Sequence, residues 1–139
     1  MKLDELLQKG FITKIKPDKN LVEKELKEAK YDLEKANVAL EQKDFKWCII
    51  KSYYSMFHAA RGVLFSLGLK ERRHFAVGAV LEELGSEGKL KSKFINDFKA
   101  GMSAREEADY RYLYSEDTAR YLVDVAEEFL EEMKKIIKK

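Results

Sequence analysis

Residues Asp44–Leu67 read DFKWCIIKSYYSMFHAARGVLFSL, and what this stretch demands of its neighbours decides the fold. As a helix it spans about 36 Å at roughly 1.5 Å per residue. Steps of four and three put Ile49, Tyr53, Met56, Ala60, Val63 and Leu67 on one stripe, and Trp47, Ile50, Tyr54, Phe57 and Leu64 on a second beside it. One apolar stripe needs one partner; two adjoining stripes need several. A third line, Cys48, Ser52, Ser55, Ala59, Gly62 and Ser66, holds only small residues, so another backbone can come close there. The stretch predicts a central helix buried on most sides by other helices or by a second subunit. Lys46, Lys51, His58 and Arg61 interrupt it, which excludes a membrane span.

Ahead of it, Gln42 and Lys43 leave only a tight turn before Asp44, a good N-cap, so the preceding helix must lie antiparallel to it. That helix is marked by Val22, Leu26, Ala29, Leu33, Ala36 and Leu40, with Glu23, Lys27, Glu28, Glu34 and Lys35 on the opposite face. Either Asp18 or Asn20, just after Pro17, can cap it; with Asn20 as the cap, Glu23 returns the bond. Further out, Lys2–Lys9 predicts a short helix stopped by Gly10, and Phe11–Pro17 a connector.

Beyond Leu67, Gly68 ends the central helix and a basic corner, Lys70 to His74, leads into a shorter helix over Phe75–Leu84. The break Gly85-Ser86-Glu87-Gly88 reads as a helix C-cap loop. A KH-type nucleic-acid clamp shares its glycine spacing but needs a sheet, and no run here alternates with period two. Leu90–Tyr112 predicts a fifth helix through Phe94, Phe98, Gly101 or Met102, Arg105, Ala108 and Tyr112. For the last helix Ser115 is the cap, Glu116 and Asp117 suit its positive end, and Lys134, Lys135, Lys138 and Lys139 its negative end. Ala119, Leu122, Val125 or Ala126, Phe129, Met133 and Ile136 form its seam. The expected fold is all-α, an up-and-down antiparallel bundle of five to six helices, one domain over residues 1–139.

With 27 Lys plus Arg against 25 Asp plus Glu, the net charge of +2 sets up no global basic field, so any nucleic-acid site must be local. The lone cysteine, Cys48, excludes an internal disulfide framework. No leader segment is read, and a cytoplasmic location is expected. The chain has no phosphate-binding glycine loop, no G-x-S-x-G and no H-E-x-x-H. His58 and His74 are far apart in sequence, no E-x-x-H pair exists, and neither a metal nor a cofactor is expected.

What remains are polar residues set against apolar stripes. His58, between Phe57 and Ala59, fits an interhelical histidine with its hydrogen bonds satisfied. His74 opens a helix beside Arg72 and Arg73, where imidazole and guanidinium can meet an anion; an ordinary loop histidine is the alternative. Within Ala104–Tyr112, helical spacing puts Arg105 and Asp109 on one face with Tyr112 a turn further, and Tyr110 is placed to flank the same crevice. Arg105 is either a structural ion pair or a preorganised cation for a phosphate.

Three segments together, KDFKWCIIKSYYSMFHAARGVLFSLGL, RRHFAVG and REEADYRY, resemble the short HEPN-domain proteins of prokaryotes, over roughly residues 18–137. Such proteins are found beside minimal nucleotidyltransferases or in defence and toxin–antitoxin loci. The resemblance implies a helical bundle, a homodimer, and for many members metal-independent ribonuclease activity from an arginine followed four to six residues later by a histidine at the dimer interface. Arg105 matches the arginine. At the histidine the chain departs, since Tyr110 stands there and no histidine follows His74. Tyrosine, with an ordinary pKa of about 10, is a poor base at neutral pH. The expectation is a groove around Arg105, with Asp109, Tyr112, Arg72 and Arg73 as further binding candidates, that takes RNA or a nucleotide. Arg105, Tyr110 and His74 are the catalytic candidates for weak or absent cleavage. The alternative is a non-catalytic module that partners a minimal nucleotidyltransferase.

Overall fold

The structure, a computed structural model, describes residues 1–138. Helix α1 (Leu3–Gln8) leads into strand β1 (Ile12–Lys14), the long hairpin α2 (Lys19–Glu41) and α3 (Phe45–Ser66), then strand β2 (Leu69–Glu71), α4 (Phe75–Ser86), α5 (Ser92–Tyr110) and α6 (Glu116–Lys138). The all-α bundle is borne out, and no described helix is long and apolar enough to cross a membrane.

Helix α3 is the axis, packed against α2, α4, α5 and α6. Both stripes and the small line are buried for most of their length: Ile49, Tyr53, Met56, Ala60, Val63 and Leu64 are fully covered, as are Cys48, Ser52, Ser55 and Ala59. The stripes end at the surface, where Trp47 and Leu67 are half exposed. The small residues do admit close neighbours. Ser55 Oγ donates to the Ala29 carbonyl of α2 at 2.7 Å, and Cys48 Sγ lies 3.7 Å from the Ala119 carbonyl of α6. A Cβ at Gly62 would touch Ile137 of α6 at 3.5 Å and Glu25 of α2 at 3.7 Å.

The hairpin turn forms as expected, with Asp44 accepting from the Trp47 amide at 3.3 Å. Lys43 takes the left-handed conformation, φ 61°, that lets the Asp44 amide reach back to the Ala39 carbonyl at 2.8 Å and close the end of α2. Of the two possible caps for α2 the structure uses Asp18, which accepts from the Asn20 amide at 2.8 Å. Ser115 caps α6 by accepting from the Thr118 amide at 3.1 Å, and Lys135 and Lys138 lie in its last turn. Lys139, assigned to the same end, lies outside the described residues.

Two expectations need correction. The segments read as a connector and a basic corner pair as an antiparallel ribbon, Ile12 with Glu71, Thr13 with Lys70 and Lys14 with Leu69. Strands of three residues are too short to show a period, which is why none was visible. The fifth helix stops at Tyr110 instead of running to Tyr112, because Tyr112 has φ 58° and the Leu113 amide folds back to the Glu107 carbonyl at 3.0 Å.

The contacts at Gly62 generate a test of this packing. Gly62→Leu forces a branched side chain between α2, α3 and α6 and is expected to destabilise the protein by roughly 1 to 3 kcal/mol. Chemical denaturation measures it; an unchanged midpoint would mean that α3 is not packed in this way.

Candidate functional site

Arg105, Asp109 and Tyr110 sit on α5 and His74 just ahead of α4, where these helices pack against α3 around Tyr53. Phe98 packs on Tyr53 with ring centres 5.8 Å apart, and a Cβ at Gly101 would collide with the Met56 methyl, so α5 crosses α3 closely there. Arg105 follows one turn later on the same face. Its guanidinium lies over the rings of Tyr54 and Tyr110, 5.4 Å from each centre, and Asp109 Oδ2 stands 3.3 Å from its terminal nitrogen. The side chain is largely enclosed, yet its Nε is buried without a hydrogen-bond partner. A buried donor without a partner carries a desolvation cost.

The ribbon delivers His74 to the same region. The Arg72 amide donates to the Phe11 carbonyl at 2.8 Å, which fixes the chain just before α4. His74 Nε2 is 2.7 Å from the Tyr53 hydroxyl, and the imidazole stacks on Phe57, ring centres 4.5 Å apart and planes within 4°. Its pKa is lowered, first by burial and then by the positive charge of Arg105, so the ring is neutral at pH 7. The Tyr53 hydroxyl is pushed the other way, chiefly by burial, and stays protonated.

The structure thus brings Arg105, Asp109 and Tyr110 together and sets His74 within reach of the same charge. Arg72 and Arg73 lie in the exposed turn before His74 and form no ion pair among the described residues. Tyr112 is a correction: the helix end at Tyr110 carries it away from Arg105, and its ring lies over Lys46 Nζ at 5.4 Å, by the start of α3. Sequence reasoning missed the roles of Tyr54, which faces Arg105, and of Tyr53, which holds His74. The available signal was chemical: a tyrosine in a buried stripe needs a partner for its hydroxyl.

His58 has the structural place expected of it. Its Nδ1 is 2.6 Å from Glu25 Oε2 and its Nε2 3.6 Å from buried Asp32, which Lys51 also approaches at 3.5 Å. Burial raises the Asp32 pKa against the pull of Lys51 and His58. This seam lies between α2 and α3 and includes none of Arg105, Asp109 and Tyr110. Among the described residues no three His, Cys, Asp or Glu side chains group as metal ligands.

Comparison with known proteins gives two relatives. A segment of 56 residues, 40% of this chain and 39% of the relative, is 39% identical to UPF0332 protein PH1297 of Pyrococcus horikoshii. The chain therefore spans well under half of that relative's length. Over 115 residues, 79% of this chain and 84% of the relative, it is 25% identical to a Methanocaldococcus jannaschii protein named "Putative toxin MJ0605". The HEPN domain matches residues 22–136, from the first turn of α2 to the last turn of α6, and the chain belongs to the HEPN domain family.

Proposed function

We propose that this protein is a toxin-type HEPN protein that binds RNA through Arg105 and cleaves it weakly or not at all, in the cytoplasm. The observation that carries the reading is the Arg105 guanidinium, flanked by Tyr54 and Tyr110, with a buried Nε that no protein group satisfies. The name of the Methanocaldococcus jannaschii relative supports the toxin-type assignment.

Metal-independent scission of RNA needs a base for the 2′-hydroxyl, an acid for the leaving oxygen and a cation for the phosphorane. Arg105 supplies the cation. Tyr110, at the position of the family's histidine, is exposed and spends its ring face on Arg105. His74 is neutral and so able to accept a proton, but its Nε2 is tied to Tyr53. The set lacks a free base beside the cation, since His74 is committed to Tyr53, and that is the reason for weak turnover.

A homodimer completes the reading. Tyr53 and Phe57 of the α3 stripes are taken up inside the protomer, and Tyr54 is half-buried against Arg105. Tyr110, Tyr112, Leu113 and Tyr114, at and just beyond the end of α5, are among the exposed large side chains and form a largely apolar run. Monomers seldom leave such a patch to water. The same patch favours the second reading, an interaction module whose partner is a minimal nucleotidyltransferase.

Purified protein is expected to bind single-stranded RNA in a salt-dependent way. Arg105→Ala should weaken binding about tenfold and lower the salt slope by about one, with the fold intact. Tyr110→His should raise cleavage in the presence of chelator. No RNA binding by the parent, with Arg105→Ala lowering only the melting temperature, selects the interaction module instead.

The proximity of His74 to Arg105 is testable by itself. His74 should titrate below the ordinary histidine value of about 6.5, and Arg105→Ala should raise its pKa by removing a repelling charge. NMR of the imidazole reads both; an unmoved His74 would separate it from the Arg105 site. Light scattering at tens of micromolar is expected to give a dimer, and a monomer would remove the second copy from the proposal.

A further inference from the structure

We propose that residues 1–14 act as a clasp on the site: through Phe11 they hold His74 against Tyr53, and loosening that hold frees the imidazole as a base. The proposal rests on the reading of Arg105 as an RNA site and names how that site is restrained. The HEPN match begins at residue 22, so α1 and β1 precede the family domain. They pack chiefly on α4 and β2, the two elements that flank His74. Leu6 and Ile12 are buried and anchor the segment. Between them Gly10, at φ 73°, turns the chain from helix to strand.

Phe11 is where the segment takes hold. Its amide donates to the Leu6 carbonyl at 3.0 Å, which ties it to α1. Its carbonyl accepts from the Arg72 amide at 2.8 Å, and its ring meets Phe75 edge-on with centres 4.9 Å apart. One contact precedes His74 and the other follows it. Met1 lines the same cleft as Tyr53, His74 and Phe75, so the segment reaches this neighbourhood at a second point. Strand β2 has its own anchors, since Arg61 holds Glu71 and Leu69 is buried. The stretch left to Phe11 is Arg72 to Phe75, and no side chain caps α4 there. Strands of three residues make a marginal ribbon, and such segments open locally while the rest of a fold stays intact.

Once Nε2 leaves Tyr53 it can take the proton of an RNA 2′-hydroxyl. The 2′-oxygen then bonds to phosphorus, the bond from phosphorus to the 5′-oxygen breaks, and that oxygen takes a proton from water. The charges that act on the ring, Arg105, Glu71, Arg61 and Glu106, all lie outside the clasp. A change at Phe11 therefore alters the burial of His74 first.

Phe11→Ala in the full chain removes the ring contact and leaves the carbonyl. His74 is expected to titrate closer to the ordinary histidine value, since burial is the first cause of its lowered pKa. RNA cleavage in chelator should rise by about tenfold. Phe11→Tyr keeps the ring and should match the parent. Ser115→Ala removes the cap of α6; it should leave both readouts unchanged and so separates the clasp from general destabilisation. An unmoved His74 in Phe11→Ala overturns the clasp, as does a shifted His74 with unchanged cleavage in a protein that binds RNA. If the parent binds no RNA, the proposed function fails, and the His74 titration alone decides whether Phe11 holds the imidazole. Should Phe11→Ala not fold, hydrogen exchange of the parent decides. The Arg72 amide is then expected to exchange well ahead of Ile49 and Val63 on α3, and exchange of all three together overturns the proposal.

Discussion

Everything in this molecule follows from the need to cover α3. Fourteen of its residues are buried, and no single partner helix can reach all of them. The solution assigns each side of α3 a different kind of contact. The small line lets α2 and α6 approach closely, as the Ser55–Ala29 and Cys48–Ala119 contacts show. The aromatic side receives α4 and α5, and here burial creates the site. Tyr53 has no exposed surface, so its hydroxyl must find a partner inside or lose roughly 1 to 3 kcal/mol to desolvation. His74 is that partner. Gly101 lets α5 close upon Tyr53 and Met56, and the helical repeat then brings Arg105, one turn later, over Tyr54. Arg105 is placed by packing before any ligand is considered.

The polar seam between α2 and α3 extends this logic to the ribbon. Glu25 accepts from both His58 and Arg61, and Arg61 Nε stands 2.8 Å from Glu71 Oε2 on β2. That last contact is electrostatic more than directional, since Arg61 Nε makes no aligned hydrogen bond. Removing one member would leave the others charged and poorly solvated, a costlier change than loss of an exposed pair. Through Glu71 the seam anchors β2, and the residues just after β2 are Arg72, Arg73 and His74. Residues of the hairpin thereby hold the segment that carries the imidazole.

The sequence was most legible where a contact is local. The α2–α3 hairpin, the caps at Asp44 and Ser115 and the seam of α6 all follow from spacing within a few residues. Legibility failed where structure depends on distant partners. The ribbon pairs residues almost sixty positions apart, and neither strand is long enough to signal alone. Buried Asp32 escaped notice because a carboxylate in an apolar seam makes sense only once Lys51 and His58 are seen across from it. The end of α5 was hidden for a different reason: Tyr112 adopts a left-handed backbone, a conformation normally given to glycine or asparagine, and nothing in ADYRY announces it. The site was accordingly half readable. Arg105, Asp109 and Tyr110 belong to one helix and were placed correctly by its period. Tyr53 and Tyr54 belong to another, and their contacts come only from how the two helices cross.

Whether Asp109 blocks a phosphate at Arg105 is decided by magnitudes. The pair makes one contact at 3.3 Å, and Asp109 remains about a third exposed. Partly exposed ion pairs of this kind contribute about 0 to 1 kcal/mol, and the carboxylate can turn to water at little cost. On the proposed reading a phosphate would offer several charged oxygens to the terminal nitrogens of Arg105. Exchange of Asp109 for phosphate therefore replaces one weak contact with two or more charge-assisted ones. The flanking Tyr54 and Tyr110 rings already hold the guanidinium, so little side-chain freedom would be lost on binding. On the proposed reading, Asp109 is a placeholder that keeps the cation oriented until an anion binds.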